Sequence, residues 1–357
     1  MEKDERKYIM EAVVFRGPGD FGLEEIETPK CPKNGVLLKV ISIGLCGSDI
    51  RTFASGHNKV KPPFVLGHEI AGVIEESDTD YFKPGQKVML NPGINCGKCR
   101  FCRSEKNLSH LCPNMTVPGT HFFGGYAQYV AVPEVGASPV FMHVIPDDVN
   151  MDILPLSETL ASVYSTHEFI NITEGDTVLV IGAGPLGNLH SANAKIRGAK
   201  KVILAELNQP RLDKAKQFDY IDVFVNPSVE DLGEVIDRET DGDGVDVAIT
   251  ACPSGKAQEE ATHYLKPRGR LLLFGGLPHN DCRVPFDSNL IHYRELQVVG
   301  GFSYTPESFK SALDLIVSGK IPADRMVTHV LPLKEIKRGI EMTKTGEAIK
   351  VILKPWE

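Results

Sequence analysis

Hydrophobic positions change their rhythm near residue 158. Before it, apolar residues come in short β-branched runs such as "GVLLKVISIG" and "EIAGVIEE", broken by Gly/Pro-rich turns, which predicts an all-β region of short strands. After it, "DTVLVIG" reads as a strand, "PLGNLHSANAKIRG" as an amphipathic helix and "KVILAE" as the next strand. The alternation continues through "DVFVN", "GVDVAIT" and "RLLLFGG", with helical stretches such as "VEDLGEVIDRET" between, and "LQVVGGF" closes it. Strands separated by helices of this length predict a parallel sheet covered on both faces. Beyond them, "TPESFKSALDLIVSGK" predicts a helix with Thr305 as N-cap and Pro306 at its first position. The last run, "AIKVILKP", has strand character, but the pattern alone gives it no place.

Composition narrows the class. With 357 residues, 42% hydrophobic and 24% charged, the chain resembles an ordinary folded enzyme of about two domains. A net charge of -8 argues against a nucleic-acid partner, which needs a basic footprint, and "KVKPP" at 59–63 reads as a solvated loop. "MEKDERKYIMEAVVF" lacks the apolar core of a signal peptide, and no stretch approaches the roughly 18 apolar residues of a membrane span. The expectation is a soluble protein in the reducing cytoplasm.

That setting bears on "GINCGKCRFCRSEKNLSHLCPN", which holds four of the eight cysteines. Disulfide frameworks belong to small secreted domains, whereas Cys96-x2-Cys99-x2-Cys102 lets a tight turn aim successive thiolates at one tetrahedral ion. Structural zinc is the expected occupant. Cys31, Cys252 and Cys282 have no partner at ligand spacing.

A second chemistry is written in "VLVIGAGPLGN". Gly182-x-Gly184-x-x-Gly187 follows a predicted strand and opens a predicted helix, the context that gives this pattern weight. Its glycines, with Pro185 and Leu186 between them, would bring backbone and helix N-terminus to a pyrophosphate. Glu206 ends the next strand, nineteen positions after Gly187, where a carboxylate accepts from both ribose hydroxyls of NAD and repels the extra phosphate of NADP. Arg211 nearby leaves some tolerance of NADP. Earlier, Cys46 in "GLCGSDIR" and His68-Glu69 in "LGHEIAG" supply a thiolate, an imidazole and a carboxylate, a mixed set suited to a catalytic zinc with one position open.

"GLCGSDI", "LGHEIAGVI", "KPGQKVML", the cysteine cluster, "GGYAQYV", "VLVIGAGPLG" and "IKVILKP" together resemble the zinc-dependent medium-chain alcohol and polyol dehydrogenases, in order over nearly the whole chain. The resemblance implies a GroES-like catalytic domain at 1–157 and 300–357, with a Rossmann NAD-binding domain inserted at 158–299. "PLSETLASV" resembles the Glu-Pro-Leu segment of the sorbitol (L-iditol 2-) dehydrogenase branch, with Glu158 at the matching position and Thr159 in place of proline. Cys46 and His68 are then catalytic zinc ligands, Glu69 and Glu158 ligands directly or through water, Asp49 the group that orients His68, and Ser48 the hydroxyl that takes the substrate proton. Arg51 stands where alcohol dehydrogenases extend that relay with histidine. Gly275, Phe302 and Lys350 join the cofactor residues. The family's fourth structural cysteine falls at His110; Cys112, two positions on, is favoured here, with His110 the alternative.

The implied reaction is reversible oxidation of a secondary alcohol to a ketone, with zinc polarising the hydroxyl and NAD accepting hydride. Arg51, Phe53, His121, Phe122 and Tyr304 are expected at the substrate, a polyol or sugar alcohol. Ser303 replaces an arginine found beside the tyrosine in polyol dehydrogenases, and Arg51 and Lys61 leave a polyol phosphate as the second reading, an amino alcohol such as threonine as the third. A non-catalytic relative is the remote alternative. The family forms homodimers and homotetramers, commonly through the Rossmann sheet edge.

Overall fold

The computed structural model of the protein describes residues 9–278 and 280–357, so the first eight residues of the segment read for a targeting signal lie outside the described residues. The chain divides into two compact units, Met1–Ala161 with Tyr304–Glu357, and Ser162–Ser303. Each division falls four residues beyond the one expected from sequence.

The first unit is built on a seven-stranded sheet. Its order runs Val327–Pro332, Lys350–Lys354, Val36–Gly44, Glu69–Ser77, Lys87–Leu90, Met142–Val144, with Tyr129–Val132 also paired to Val36–Gly44. A smaller sheet joins Asp20–Glu27, Ile9–Gly17 and Phe64–Val65. "VLLKVISIG" is buried along almost its whole length, because side chains on both faces of that strand are covered, and its apolar residues fill one core with Phe15, Phe53 and Tyr126. The terminal run now has a place: Ile352 pairs with Gly44 and Leu353 with Ile43, antiparallel, so the end of the chain completes the sheet begun by its first third.

The region before residue 158 is not all-β. Gly47–Ser55 forms a helix entered directly from Cys46, whose side chain supplies no cap hydrogen bond. Nine residues with glycine first and three threonine or serine positions carry too little helical periodicity to stand out. The helix predicted at 305 forms as Pro306–Val317, with the Thr305 hydroxyl accepting from the Ser308 amide at 3.2 Å.

The second unit is a six-stranded parallel sheet in the order Val223–Val225, Lys201–Ala205, Thr177–Ile181, Val245–Thr250, Leu265–Leu273, Gln297–Gly300. Counted from its first strand this is 3-2-1-4-5-6, the doubly wound order that opens a ligand crevice where strand order reverses, at the C-terminal ends of Thr177–Ile181 and Val245–Thr250.

A polar chain is sealed inside this unit. His167 Nε2 lies 2.8 Å from His190 Nδ1, and the Asn193 amide nitrogen 2.9 Å from His167 Nδ1, with all three residues fully buried. Burial holds both imidazoles neutral, His167 well below the usual range and His190 down to about 3. Each folded pKa therefore lies below its unfolded value near 6.5. Their contribution is complete above about pH 6.5 and is lost as pH falls below it, since only the unfolded chain then takes up the protons. Urea unfolding should show stability falling by up to about 1.4 kcal/mol per pH unit for each histidine between roughly pH 6 and 4, with a shallower slope in His190→Gln. Equal slopes in the two proteins would remove the pair as the cause.

Candidate metal and cofactor sites

Strand register assembles the first site. Gly44 lies opposite Glu69 in the pairing of Val36–Gly44 with Glu69–Ser77, so Cys46, just past one strand, meets His68 and Glu69 at the start of the other. Only glycine fits at position 44, where a Cβ would come within 1.7 Å of Glu69 Oε2. The donor atoms of Cys46, His68 and Glu69 all lie within 4.8 Å of one another. His68 Nδ1 is 3.4 Å from Asp49 Oδ1, and the fully buried Tyr126 hydroxyl donates to Asp49 Oδ2 at 2.8 Å, which turns the other ring nitrogen of His68 toward the cluster. Burial opposes a charged His68, yet the Asp49 and Cys46 anions outweigh it and raise its pKa well above the ordinary value. The Ser48 hydroxyl donates to Cys46 Sγ at 3.2 Å.

Glu69 is wholly buried and receives three approaches. Lys350 Nζ, 3% exposed, lies 2.7 Å from Oε1 and 2.5 Å from Oε2, and the Thr159 hydroxyl donates to Oε1 at 3.1 Å. The ammonium's contact with Oε2 is close but not aligned as a hydrogen bond, so Oε2 retains an unpartnered lone pair. Glu158 stands outside the three-donor group, and Tyr304 donates to its Oε1 at 2.9 Å. Burial, with the charge of Glu69, raises the Glu158 pKa against the lowering effects of His68 and Tyr304.

The donor chemistry fits a divalent cation. One thiolate, one imidazole and one carboxylate converge, a basic imidazole marks a negative local field, and a buried carboxylate oxygen has no aligned donor.

The cysteine loop forms the second cluster, with Cys96, Cys99, Cys102 and Cys112 offering sulfurs all within 4.8 Å of one another. Sγ separations are 3.9 Å for Cys96 and Cys102, 3.4 Å for Cys99 and Cys102, and 3.8 Å for Cys99 and Cys112, too long for a disulfide. Amide hydrogen bonds at Lys98 and Cys99 hold Cys96 down to about 6, whereas burial and neighbouring sulfurs push Cys102 up to about 12. Four thiolates cannot coexist there unaided, and a tetrahedral cation relieves their repulsion. His110, the alternative ligand, is not in the cluster.

In the second unit Gly182 adopts φ 112° and Gly184 faces open space, while a Cβ on Gly187 would lie 1.7 Å from the Gly182 carbonyl oxygen. Turn, ligand approach and helix packing are thus divided among the three glycines as the fingerprint requires. Pro185 and Leu186 form the first turn of the helix Pro185–Ile196. Glu206, just past Lys201–Ala205, accepts from the Ala183 and Asn208 amides at 2.8 Å each, beside the glycine loop. Arg211 lies in the helix Gln209–Ala215, Gly275 packs on the Cys252 carbonyl, and Phe302 is 75% exposed.

Two expected placements differ. Lys350 was expected at the cofactor, but its ammonium is committed to Glu69, 2.7 Å from Oε1, with both residues buried. Phe53 was expected at the substrate, but it is 2% exposed and packs among Phe15, Phe21 and Tyr126, since the inward face of the short helix carries it into the core. Arg51 and His121 are exposed and Phe122 is half-buried. Sequence reasoning missed Tyr126 and the Thr159 hydroxyl as site residues; "GGYAQYV" carried the first as an unassigned motif position.

Comparison with known proteins matches residues 32–147 to the family described as "Alcohol dehydrogenase GroES-like domain" and residues 185–318 to "Zinc-binding dehydrogenase". A sorbitol dehydrogenase of Bombyx mori is 32% identical, covering 96% of this chain and 97% of its own. A D-xylulose reductase A of Aspergillus oryzae is 32% identical over 89% of this chain and 88% of its own. An alcohol dehydrogenase of Escherichia coli solved with NADH superposes with a TM-score of 0.85 at 27% identity, covering 97% of this chain and 99% of that one.

Proposed function

This chain belongs to the zinc-dependent medium-chain alcohol and polyol dehydrogenase family, and we propose that it oxidises a secondary hydroxyl of a polyol to a ketone, reversibly, with NAD as hydride acceptor. The observation that carries this reading is the convergence of Cys46, His68 and Glu69, in the same unit as the Glu158–Tyr304 pair, in a chain whose other unit bears an NAD fingerprint. Cys46, His68 and Glu69 would hold the catalytic zinc, and Cys96, Cys99, Cys102 and Cys112 the structural one. Bound at the first cluster, zinc supplies Lewis-acid polarisation of the alcohol, lowering its pKa by several units.

The residues do the rest. Asp49, held by Tyr126, fixes the tautomer and orientation of His68. Ser48 is placed to take the substrate proton, since its hydroxyl is already directed at Cys46 Sγ. Glu158 has Oε1 occupied by the Tyr304 hydroxyl, and burial raises its pKa, which suits it to exchange a proton with the substrate. Lys350 and Thr159 both donate to Glu69 Oε1, the ammonium serving as counter-charge to the buried carboxylate. Gly184 and the helix N-terminus at Pro185 receive the pyrophosphate, and Glu206 selects NAD over NADP through the ribose hydroxyls.

Among the described residues no helix is long and apolar enough to cross a membrane. We place the protein in the cytoplasm, where free thiols persist, as a homodimer or homotetramer joined through the exposed sheet edge Gln297–Gly300.

The test is elemental analysis for zinc beside NAD reduction with a panel of polyols, amino alcohols and primary alcohols. Two zinc ions per chain and turnover on a polyol are expected. One ion, no turnover on any alcohol and intact NAD binding would replace the enzyme reading with a zinc-stapled binding protein.

A further inference from the structure

We propose that an anion subsite lies beside the catalytic cluster, formed by His57, Lys59 and His121 with Arg51 and Lys61 around it, and that the preferred substrate is a polyol carrying a phosphate or carboxylate. This deepens the reading above and rests on it for the reacting carbon.

Charge distribution is the first ground. In a chain of net charge -8, residues 50–68 contain no Asp or Glu, nor do residues 106–133, yet Arg51, His57, Lys59, Lys61 and His121 all fall within them. Among the described residues none of the five enters an ion pair. Arg51, Lys59 and Lys61 thus carry charge without a counter-charge, and a neutral polyol supplies none.

Geometry is the second. The turn at 57–60 is closed by the Val60 amide on the His57 carbonyl at 3.0 Å and pinned by Val60, 6% exposed, in the core. It follows the helix Gly47–Ser55, which Cys46 precedes. The turn at 117–124 is fixed to the segment before His68: Gly124 donates to the Val65 carbonyl at 2.9 Å, Gly125 to Gly67 at 2.9 Å and Tyr126 to Leu66 at 3.1 Å. A Cβ at Gly124 would come within 2.1 Å of the Gly67 carbonyl oxygen, so the two segments touch. The segment that carries His121 is thereby seated against Gly67, the residue before His68, and Arg51 lies five positions after Cys46 on the helix Gly47–Ser55.

The ring nitrogens are also assigned. The Val117 amide donates to His121 Nδ1 at 3.1 Å and the Lys59 amide to His57 Nδ1 at 3.3 Å, which leaves Nε2–H of each imidazole as a donor. Burial, and then Lys59, hold the His121 pKa down, and the Phe64 and Phe123 rings, 5.1 Å apart, bring the stretch after Lys61 against the stretch after His121. Two imidazole Nε2–H donors and a lysine on adjoining segments make a set that can bind an anionic head group.

The experiment uses the zinc-loaded enzyme with NAD and compares kcat/KM for a hexitol, its terminal phosphate ester and the corresponding hexonate, at two ionic strengths, in wild type, Lys59→Met and Lys59→Glu. The ratio of the anionic to the neutral substrate is expected to exceed about tenfold in wild type, to fall at least about tenfold in Lys59→Glu with Lys59→Met between, and to shrink with salt. Whichever anion has the larger ratio names the head group. A neutral hexitol preferred in all three proteins, with the ratio unmoved by charge reversal, overturns the subsite and leaves the dehydrogenase reading standing. Calorimetric titration with the hexitol phosphate separates the converse case: charge-dependent binding without turnover keeps the subsite and sinks the dehydrogenase.

Discussion

Cys46→Ala is expected to lower kcat on every alcohol by more than about a hundredfold while NAD binds as in wild type. Removing a partner that merely orients a metal ligand already costs on the order of 10–100-fold. Cys46 is more than that: it is one of three donors that meet within 4.8 Å, and its sulfur is also the acceptor of the Ser48 hydroxyl. Its loss therefore removes a thiolate from the cation site and releases the group placed to take the substrate proton. The NAD fingerprint lies in the other unit, on Gly182, Gly184, Gly187 and Glu206, so cofactor titration separates a catalytic loss from misfolding. Zinc analysis adds a readout independent of turnover: of the two clusters only the four-cysteine one is intact in the variant, so one ion per chain should remain. Cys99→Ser should show the reverse, losing the structural ion and thermal stability first. Wild-type turnover by Cys46→Ala at matched zinc would end the catalytic assignment.

What could be read from the chain divides by range. The parallel sheet was legible because its strands are short apolar runs that alternate with helical stretches along the chain. Both metal groups were legible from residue types at close spacing. Gly44 illustrates what was not. Its role depends on standing opposite Glu69 in an antiparallel pair twenty-five positions away, and nothing local to "SIGLCG" announces a carboxylate that needs its room. The same holds for Tyr126, whose hydroxyl reaches Asp49 from seventy-seven positions off. Phe53 failed for a related reason: on a nine-residue helix one turn decides between pocket and core, and only the packed structure fixes that turn.

Lys350→Met should cost the zinc-free protein about 3–5 kcal/mol, because breaking a buried pair leaves an uncompensated charge. Lys350 is 3% exposed and Glu69 fully buried, with Nζ 2.7 Å from Oε1, and replacing the lysine strips Glu69 of its cation while the Thr159 hydroxyl alone cannot satisfy it. The methionine fills the same stem volume, so little cavity cost is mixed in. For a unit of this size the midpoint of thermal unfolding should drop by about 6–20 °C. The sign of the zinc effect then tests the architecture. Glu69 converges with Cys46 and His68 as well as with Lys350, so a divalent cation can take over the neutralisation that the lysine provided. Zinc should consequently raise the midpoint of Lys350→Met more than that of wild type and narrow the gap between them. An equal gap with and without zinc would mean that Glu69 serves Lys350 alone and stands apart from the metal. If zinc instead closes most of the gap, the buried carboxylate is shared between two cations, and Lys350 acts as its counter-charge before the metal arrives.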